Sequence, residues 1–378
     1  MANYLDFRYS IYWGRKGARF QKVFYKVNFH FWHEAPSWGN KVKLSTTFKR
    51  VAKLVDPIIL ELLKSYANDR TQDIVGYQIS TGGKRLRPTI AILSCKLLGG
   101  KLKDVVYPAA GLEILHNYSL IIDDIIDHSI LRRGKPTTWC KYGRAIAECI
   151  AVDYVAAAFQ AANRCKNPTL VSEIFARTMK AVVDGEILDL LFEQAGREDE
   201  PYILKNRFYD IDEKDYMEMI SKKTAVLFQT CCEIGAICAD ASNQQIEVLK
   251  NYGFNIGLAF QIRDDMLDIF GEEKLLGKKI GKDIIERKLG NIVIFYAFKE
   301  LSFGDKEKFL TIMRKKRIED EDVKEAMELI RKTNAHDRVY ELGRKFIEVA
   351  KNYLQKLPNN QYRNALEVIA DFIIERKR

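Results

Sequence analysis

Several features that would place this chain in a large class of proteins are missing or scarce. Its 378 residues hold no run approaching the ~20 uninterrupted apolar residues that a membrane-spanning helix needs. Proline is scarce, at eight, and with 22 glycines in a chain 47% hydrophobic and 30% charged it argues against disorder. Stretches with the two-residue alternation of strands are few. No segment recurs at a fixed period, which argues against a solenoid. The seven cysteines (Cys95, Cys140, Cys149, Cys165, Cys231, Cys232, Cys238) form no Cys-x-x-Cys pair and mostly sit in apolar helical stretches. They read as reduced thiols of a cytoplasmic protein, not as disulfides or zinc ligands. The Gly-x4-Gly-Lys-Ser/Thr phosphate loop is absent too; Gly271 to Lys278 comes near it with five residues between its glycines. Acid is nearly absent from residues 1–44, where Asp6 and Glu34 stand against eight Lys or Arg, so six of the ten net positive charges lie there.

What is present is helical periodicity from about residue 45 to the C-terminus, broken by glycine, proline and asparagine turns. This predicts an all-α body over 45–378 preceded by a basic extension over 1–44. The extension carries three of the four tryptophans and nine Phe or Tyr. A packed extension, contact with an anionic membrane surface, organelle targeting and a nucleic-acid arm all remain open for it.

The body contains two aspartate triplets of one pattern, Asp123-Asp124-Ile125-Ile126-Asp127 and Asp264-Asp265-Met266-Leu267-Asp268. Each lies in an apolar helical stretch. Helix positions i and i+4 share a face about 6 Å apart, with i+1 turned away by roughly 100°. Asp123 and Asp127 therefore point one way, as do Asp264 and Asp268, each pair with a further acid beside it. Unpaired carboxylates this close, on faces built for burial, repel one another and cost desolvation energy. A hard multivalent cation removes that cost, and oxygen-rich sets suit Mg²⁺. Solvated acidic turns are the plainer reading, but one pattern repeated in two hydrophobic segments favours a metal site. The triplets are 141 residues apart, so they can occupy facing helices of one bundle.

Cations accompany the acids. Gly82-Gly83-Lys84-Arg85-Leu86-Arg87-Pro88 packs three into a turn that begins with glycine and ends with proline. Arg132 and Arg133 follow Asp127 by five and six residues, and Lys278, Lys279, Lys282 and Lys288 follow the second triplet. Lys222-Lys223-Thr224 opens a separate apolar helix. A charge run is usually a solvated face. Metal on one side and Arg or Lys on the other, however, is how proteins hold a diphosphate.

On these residues the chain resembles the trans-isoprenyl diphosphate synthases, the polyprenyl synthetase family, and most closely their archaeal members. The matching motifs are GGKRLRP (82–88), LEILHNYSLIIDDIIDHSILRRGKPT (112–137), KKTAVLF (222–228), AFQIRDDMLDIFG (259–271) and GKKIGKDIIERKLGNIV (277–293). The resemblance implies one large all-α bundle around a deep central cavity, generally a homodimer. It implies that Asp123, Asp124, Asp127, Asp264, Asp265 and Asp268 hold about three Mg²⁺. Lys84, Arg87, His116 and Arg133 match positions that bind isopentenyl diphosphate. Arg132, Lys223, Thr224, Gln261, Lys278 and Lys288 match those that grip the allylic diphosphate (dimethylallyl, geranyl or farnesyl), with Lys279 an alternative to Lys278. Lys288-Leu-Gly-Asn departs from the family's usual Lys-x-Thr-Leu. His116 on its apolar helix also reads as a core histidine, but it lies two turns before Asp123 on the same face.

The resemblance further implies a chain-elongating prenyltransferase whose product grows down the cavity beside the first triplet. Tyr118, five residues before Asp123, would lie roughly 7.5 Å deeper. Ser119 beside it is small, and Leu115 lies farther down. One aromatic at this level matches archaeal C20 synthases, so geranylgeranyl diphosphate is the expected product, with farnesyl and longer products as alternatives. A terpene cyclase is disfavoured by the repeated Asp-Asp-x-x-Asp. A non-catalytic subunit is disfavoured because every motif is kept, and a nucleic-acid-binding protein because the body is acidic where it would bind. The expected location is cytoplasmic, with membrane association through residues 1–44 left open.

Overall fold

The computed structural model describes residues 44–273, 280–288 and 290–377. The extension at 1–44 therefore lies, apart from Leu44, outside the described residues, as do Lys278 and Lys279. The principal helices are α1 (Leu44–Lys64), α2 (Leu86–Leu97), α3 (Leu102–Ile126), α4 (Arg144–Ala162), α5 (Pro168–Leu191), α6 (Glu213–Ile220), α7 (Val226–Cys238), α8 (Asn243–Phe270), α9 (Ile292–Glu300), α10 (Phe303–Met313), α11 (Asp320–Arg331), α12 (Ala335–Leu354) and α13 (Gln361–Glu375). The all-α expectation holds.

The two triplets lie on the two longest helices, α3 and α8. Buried residues surround α3 on every side, from Val105, Ala109 and Leu112 to Ile114 and Ile121, as expected of a central helix. It packs against α1, α2, α4 and α7, while α8 packs against α7, α12 and α13. Because α7 touches both, it holds the triplet helices on either side of one hollow. α8 starts with a capping box: the Ser242 hydroxyl accepts from the Gln245 N–H, and the Gln245 side chain accepts from the Ser242 N–H. Its covering helix α12 buries Val339, Gly343, Ile347, Ala350 and Leu354, a single stripe at helical spacing.

Two local departures from plain helix position the site. α6 and α7 are not separate helices; a π turn, Ser221–Ala225, joins them. Such one-residue insertions commonly occur at functional sites, and this one contains Lys223 and Thr224. Residues 131–136, expected only as a break, form a two-stranded hairpin pairing Leu131 with Pro136 and Arg132 with Lys135. Its turn residues, Arg133 and Gly134, both have positive φ (55° and 73°), the hairpin turn that matches strand twist.

Among the described residues one helix, α4, is long and apolar enough to cross a membrane by length and composition. Arg144, Glu148 and Asp153 interrupt its apolar run, and its inner side, including Ala147, Ile150, Tyr154 and Ala158, is buried, with α3 its main neighbour.

Candidate active site

A hollow of about 490 Å³ opens between α3, α5, the π turn and α8. Asp123 of the first triplet and Asp264 of the second both line it. So do Arg132, Lys223, Thr224 and Gln261, and so do Arg87, His116 and Arg133. Tyr118 and Ser119 belong to its wall, together with Leu120, Val183, Ile187, Leu227 and Phe260. Leu115 is buried and is not among the lining residues.

The six aspartates are not equivalent. Asp123 has no ion-pair partner among the described residues; burial and the neighbouring Glu186 carboxylate push it up to about 7. Asp124 is 1% exposed and accepts from Arg132 Nε at both oxygens, each at 2.9 Å. Asp127 pairs with Lys282 Nζ at 2.7 Å. Burial opposes its ionisation, but Lys288, Lys282 and Lys223 outweigh burial and hold it below the usual carboxylate range. Asp264 pairs with Arg376 Nη2 at 2.7 Å. Asp265 and Asp268 turn toward other helices. Asp265 accepts from the Ile292 N–H at the start of α9 (3.1 Å). Asp268 accepts from the Lys282 and Asp283 N–H groups (3.3 and 3.2 Å) at the start of the short helix Lys282–Ile285. Both carboxylates thus supply acceptors to orphan N–H groups.

The cations divide similarly. Lys223 Nζ is held by Glu186 (2.6 Å) and Asp189 (2.7 Å), which outweigh burial and keep it protonated. Lys288 is 8% exposed, pairs with Asp189 at 3.2 Å and Glu286 at 3.1 Å, and does not line the hollow. Thr224 Oγ1 donates to Gln261 Oε1 (2.7 Å), and Gln261 Nε2 donates to Asp265 (3.0 Å), which fixes the amide's orientation. Arg87 is buried without a carboxylate partner and stacks on Phe228 (4.9 Å to the ring centre); burial lowers its pKa. Burial and the surrounding arginines, Arg87 first, hold His116 well below its ordinary value, so it is neutral. Lys84 faces a different cavity beside α1, over the Phe372 ring at 5.0 Å, and is not among the hollow's lining residues.

Gly83 has a use that the sequence did not suggest. Its φ is +135°, and a Cβ there would sit 2.8 Å from Arg85 Nη1 and 2.9 Å from Arg133 Nη1. The glycine turn therefore makes room for two guanidiniums.

Sequence reasoning missed Glu186, Asp189, Glu113 and Arg376. Glu186 and Asp189 carried a usable signal: acids three apart beside Gly185 in an apolar helix, the logic applied to the triplets. Arg376 carried none, because only the fold brings it to Asp264. Among the described residues, the three carboxylates within common ligand reach are Asp127, Glu193 and Glu286. Lys282, Lys288 and Arg197 already pair with that set.

The sequence profile described as Polyprenyl synthetase matches residues 68–330. The chain is 36% identical over 321 residues to a short chain isoprenyl diphosphate synthase of Methanocaldococcus jannaschii, covering 84% of this chain and 93% of the relative. It is 34% identical over 345 residues to a geranylgeranyl diphosphate synthase of Saccharolobus solfataricus, covering 89% and 98%. A crystal structure of a polyprenyl synthase from Caulobacter crescentus, complexed with calcium and isoprenyl diphosphate, is similar at TM-score 0.78 and 29% identity, covering 88% of this chain and 98% of that one.

Proposed function

We propose that this chain, which belongs to the polyprenyl synthetase family and is a prenyltransferase, condenses isopentenyl diphosphate with an allylic diphosphate to give mainly geranylgeranyl diphosphate (C20). The observation that carries the reading is the single hollow lined by Asp123 and Asp264 together with two groups of cations.

The residues fit magnesium. Asp123 is a half-buried carboxyl without an ion-pair partner among the described residues, pushed up by desolvation and a second acid, so a hard cation would relieve both. Asp123, Asp127 and Asp264 would hold it, with Asp124, Asp265 and Asp268 fixing the local helices around them. Bound there, the metal would supply Lewis-acid stabilisation of a departing diphosphate. Arg132, Lys223, Thr224 and Gln261 bind the allylic diphosphate, with Lys288 adding positive field. Arg87, His116 and Arg133 hold the isopentenyl diphosphate; Lys84, matched to the same role by resemblance, faces the neighbouring cavity instead. Arg87 supports this best, because a buried guanidinium without a carboxylate awaits an anion. Loss of diphosphate leaves an allylic cation, the isopentenyl double bond attacks it, and the released diphosphate takes the proton. The apolar wall excludes the water that would quench the cation.

Tyr118 acts as the floor for the growing chain. Val183 and Ile187 line the hollow yet are 43% and 45% exposed, so its wall is open on the α5 side. A second copy of the chain would close it, which supports a homodimer through α4 and α5.

The test is chain-length analysis of products made by the purified chain with Mg²⁺, labelled isopentenyl diphosphate and dimethylallyl, geranyl or farnesyl primers. C20 should dominate, and Tyr118→Ser should lengthen the product. An unchanged product in that variant removes the floor role. Turnover only after adding another chain would make this a subunit instead.

A further inference from the structure

The three aspartates of the second triplet use their oxygens differently. Asp265 commits both of its oxygens inside the fold, Oδ1 to Gln261 Nε2 (3.0 Å) and Oδ2 to the Ile292 N–H (3.1 Å). Asp268 does the same, Oδ1 accepting from the Lys282 N–H and Oδ2 from the Asp283 N–H. Both residues are 5% exposed. Asp264 differs. Its side chain is 38% exposed and lines the hollow. Its Oδ1 accepts from Arg376 Nη2 at 2.7 Å, and its Oδ2 has no hydrogen-bond partner among the described residues.

Arg376 is not a loose counter-ion. It follows α13, and its side chain is 8% exposed. Three contacts that do not involve Asp264 hold it against α8. Its Nη2 also donates to the Phe260 carbonyl at 3.0 Å, and its guanidinium lies 3.8 Å from the centre of the Phe260 ring. Its carbonyl accepts from Arg263 Nε at 2.9 Å. Phe260 and Arg263 occupy the turns of α8 next to Asp264, so Arg376 is clamped beside the carboxylate it bonds. It lines the neighbouring cavity beside α1 and not the hollow. Its effect on the hollow therefore passes through Asp264.

We propose that Arg376 is a positioning residue for metal binding: from a fixed point on α8 it holds Oδ1 of Asp264 and reserves Oδ2 as a preset oxygen ligand at the hollow. A carboxylate already held by one oxygen has little side-chain freedom left to lose when a cation takes the other. A mere competitor for Asp264 would have to leave when the metal arrives, whereas the contacts with Phe260 and Arg263 keep Arg376 in place. The assignment rests on Asp264 holding Mg²⁺, as proposed above.

Thermal denaturation of the full chain against Mg²⁺ concentration, without substrate, tests this in Arg376→Gln, Arg376→Lys and Lys351→Met. The Kd for Mg²⁺ read from the rise of Tm with concentration should increase about tenfold in Arg376→Gln, the size of a lost partner to a metal-ligating carboxylate. The Mg²⁺ needed for half-maximal turnover should rise by the same factor, while kcat at saturating Mg²⁺ stays within about twofold. Arg376→Lys keeps the charge but not the planar group stacked on Phe260, and its Kd should fall between the two. Lys351→Met removes the Lys351–Asp371 pair, which ties α12 to α13 without touching either triplet, and should leave the Kd unchanged. An unchanged or lower Kd in Arg376→Gln, or an equal rise in Lys351→Met, would overturn the assignment. Should Arg376→Gln lose its thermal transition, Arg376→Lys carries the test, and a Kd equal to that of the unmodified chain overturns it. If Mg²⁺ does not stabilise the unmodified chain at all, the metal site itself falls, and this assignment with it.

Discussion

At the scale of single residues, the repeated Asp-Asp-x-x-Asp conceals a division of labour. Asp123 lines the hollow without an ion-pair partner among the described residues, whereas Asp265 caps α9. Their replacements should therefore diverge in the metal-free protein. Asp123→Asn removes a half-buried charge repelled by Glu186, so its Tm in EDTA should equal or exceed that of the unmodified chain, while the stabilisation by Mg²⁺ and the turnover are lost. Asp265→Ala strands the Ile292 N–H and should lower the EDTA Tm, at a cost of about 1–3 kcal/mol. Thermal denaturation with and without Mg²⁺ checks both, and an EDTA Tm lowered equally by the two changes would refute the division. The spacing put Asp123 with Asp127 and Asp264 with Asp268 on shared helix faces, but only Asp123 and Asp264 line the hollow. It could not reveal what Asp268 and Asp265 cap, since those N–H groups come 14 and 27 residues downstream.

At the scale of elements, the approach of α5 to the π turn decides where Lys223 sits. A Cβ on Gly185 would fall 2.2 Å from the Lys223 backbone nitrogen, too close for either element to stay in place. Gly185→Ala should destabilise the protein by about 1–3 kcal/mol and lower turnover further than lost folding explains. Gly304, in the first turn of α10, has nothing within 4 Å of its added Cβ. Gly304→Ala should be neutral, or stabilising by up to about 1 kcal/mol, with full activity. Urea unfolding paired with kinetics separates the two, and equal effects would contradict the packing account. Helix positions were readable because apolar stripes and breakers mark them. The π turn and the 131–136 hairpin were not readable. A one-residue insertion shifts too few positions to leave a periodic trace, and a two-residue strand is too short to alternate.

At the scale of the whole molecule, the outward side of α4 and α5 is apolar where a monomer needs it least. Val152 is 70% exposed and Ile146 43% on α4, and Val183 and Ile187 are 43% and 45% exposed on α5. In the proposed homodimer, Val152→Asp should shift the chain toward monomer in sedimentation equilibrium and reduce turnover with it. A dimer of unchanged strength would relocate the interface. The bundle and its shared hollow were foreseeable from two acidic helices and five co-linear motifs. Closure of the hollow by distant parts of the chain was not, because no local pattern joins Asp127 to Lys282, 155 residues on, or Asp264 to Arg376, 112 residues on. Those two bridges have a consequence for how the protein is made. Helices can form on the ribosome as they emerge, but the Asp264 bridge can only close once Arg376 has followed, so a polypeptide cut short of that residue would leave synthesis helical with its pocket unfinished.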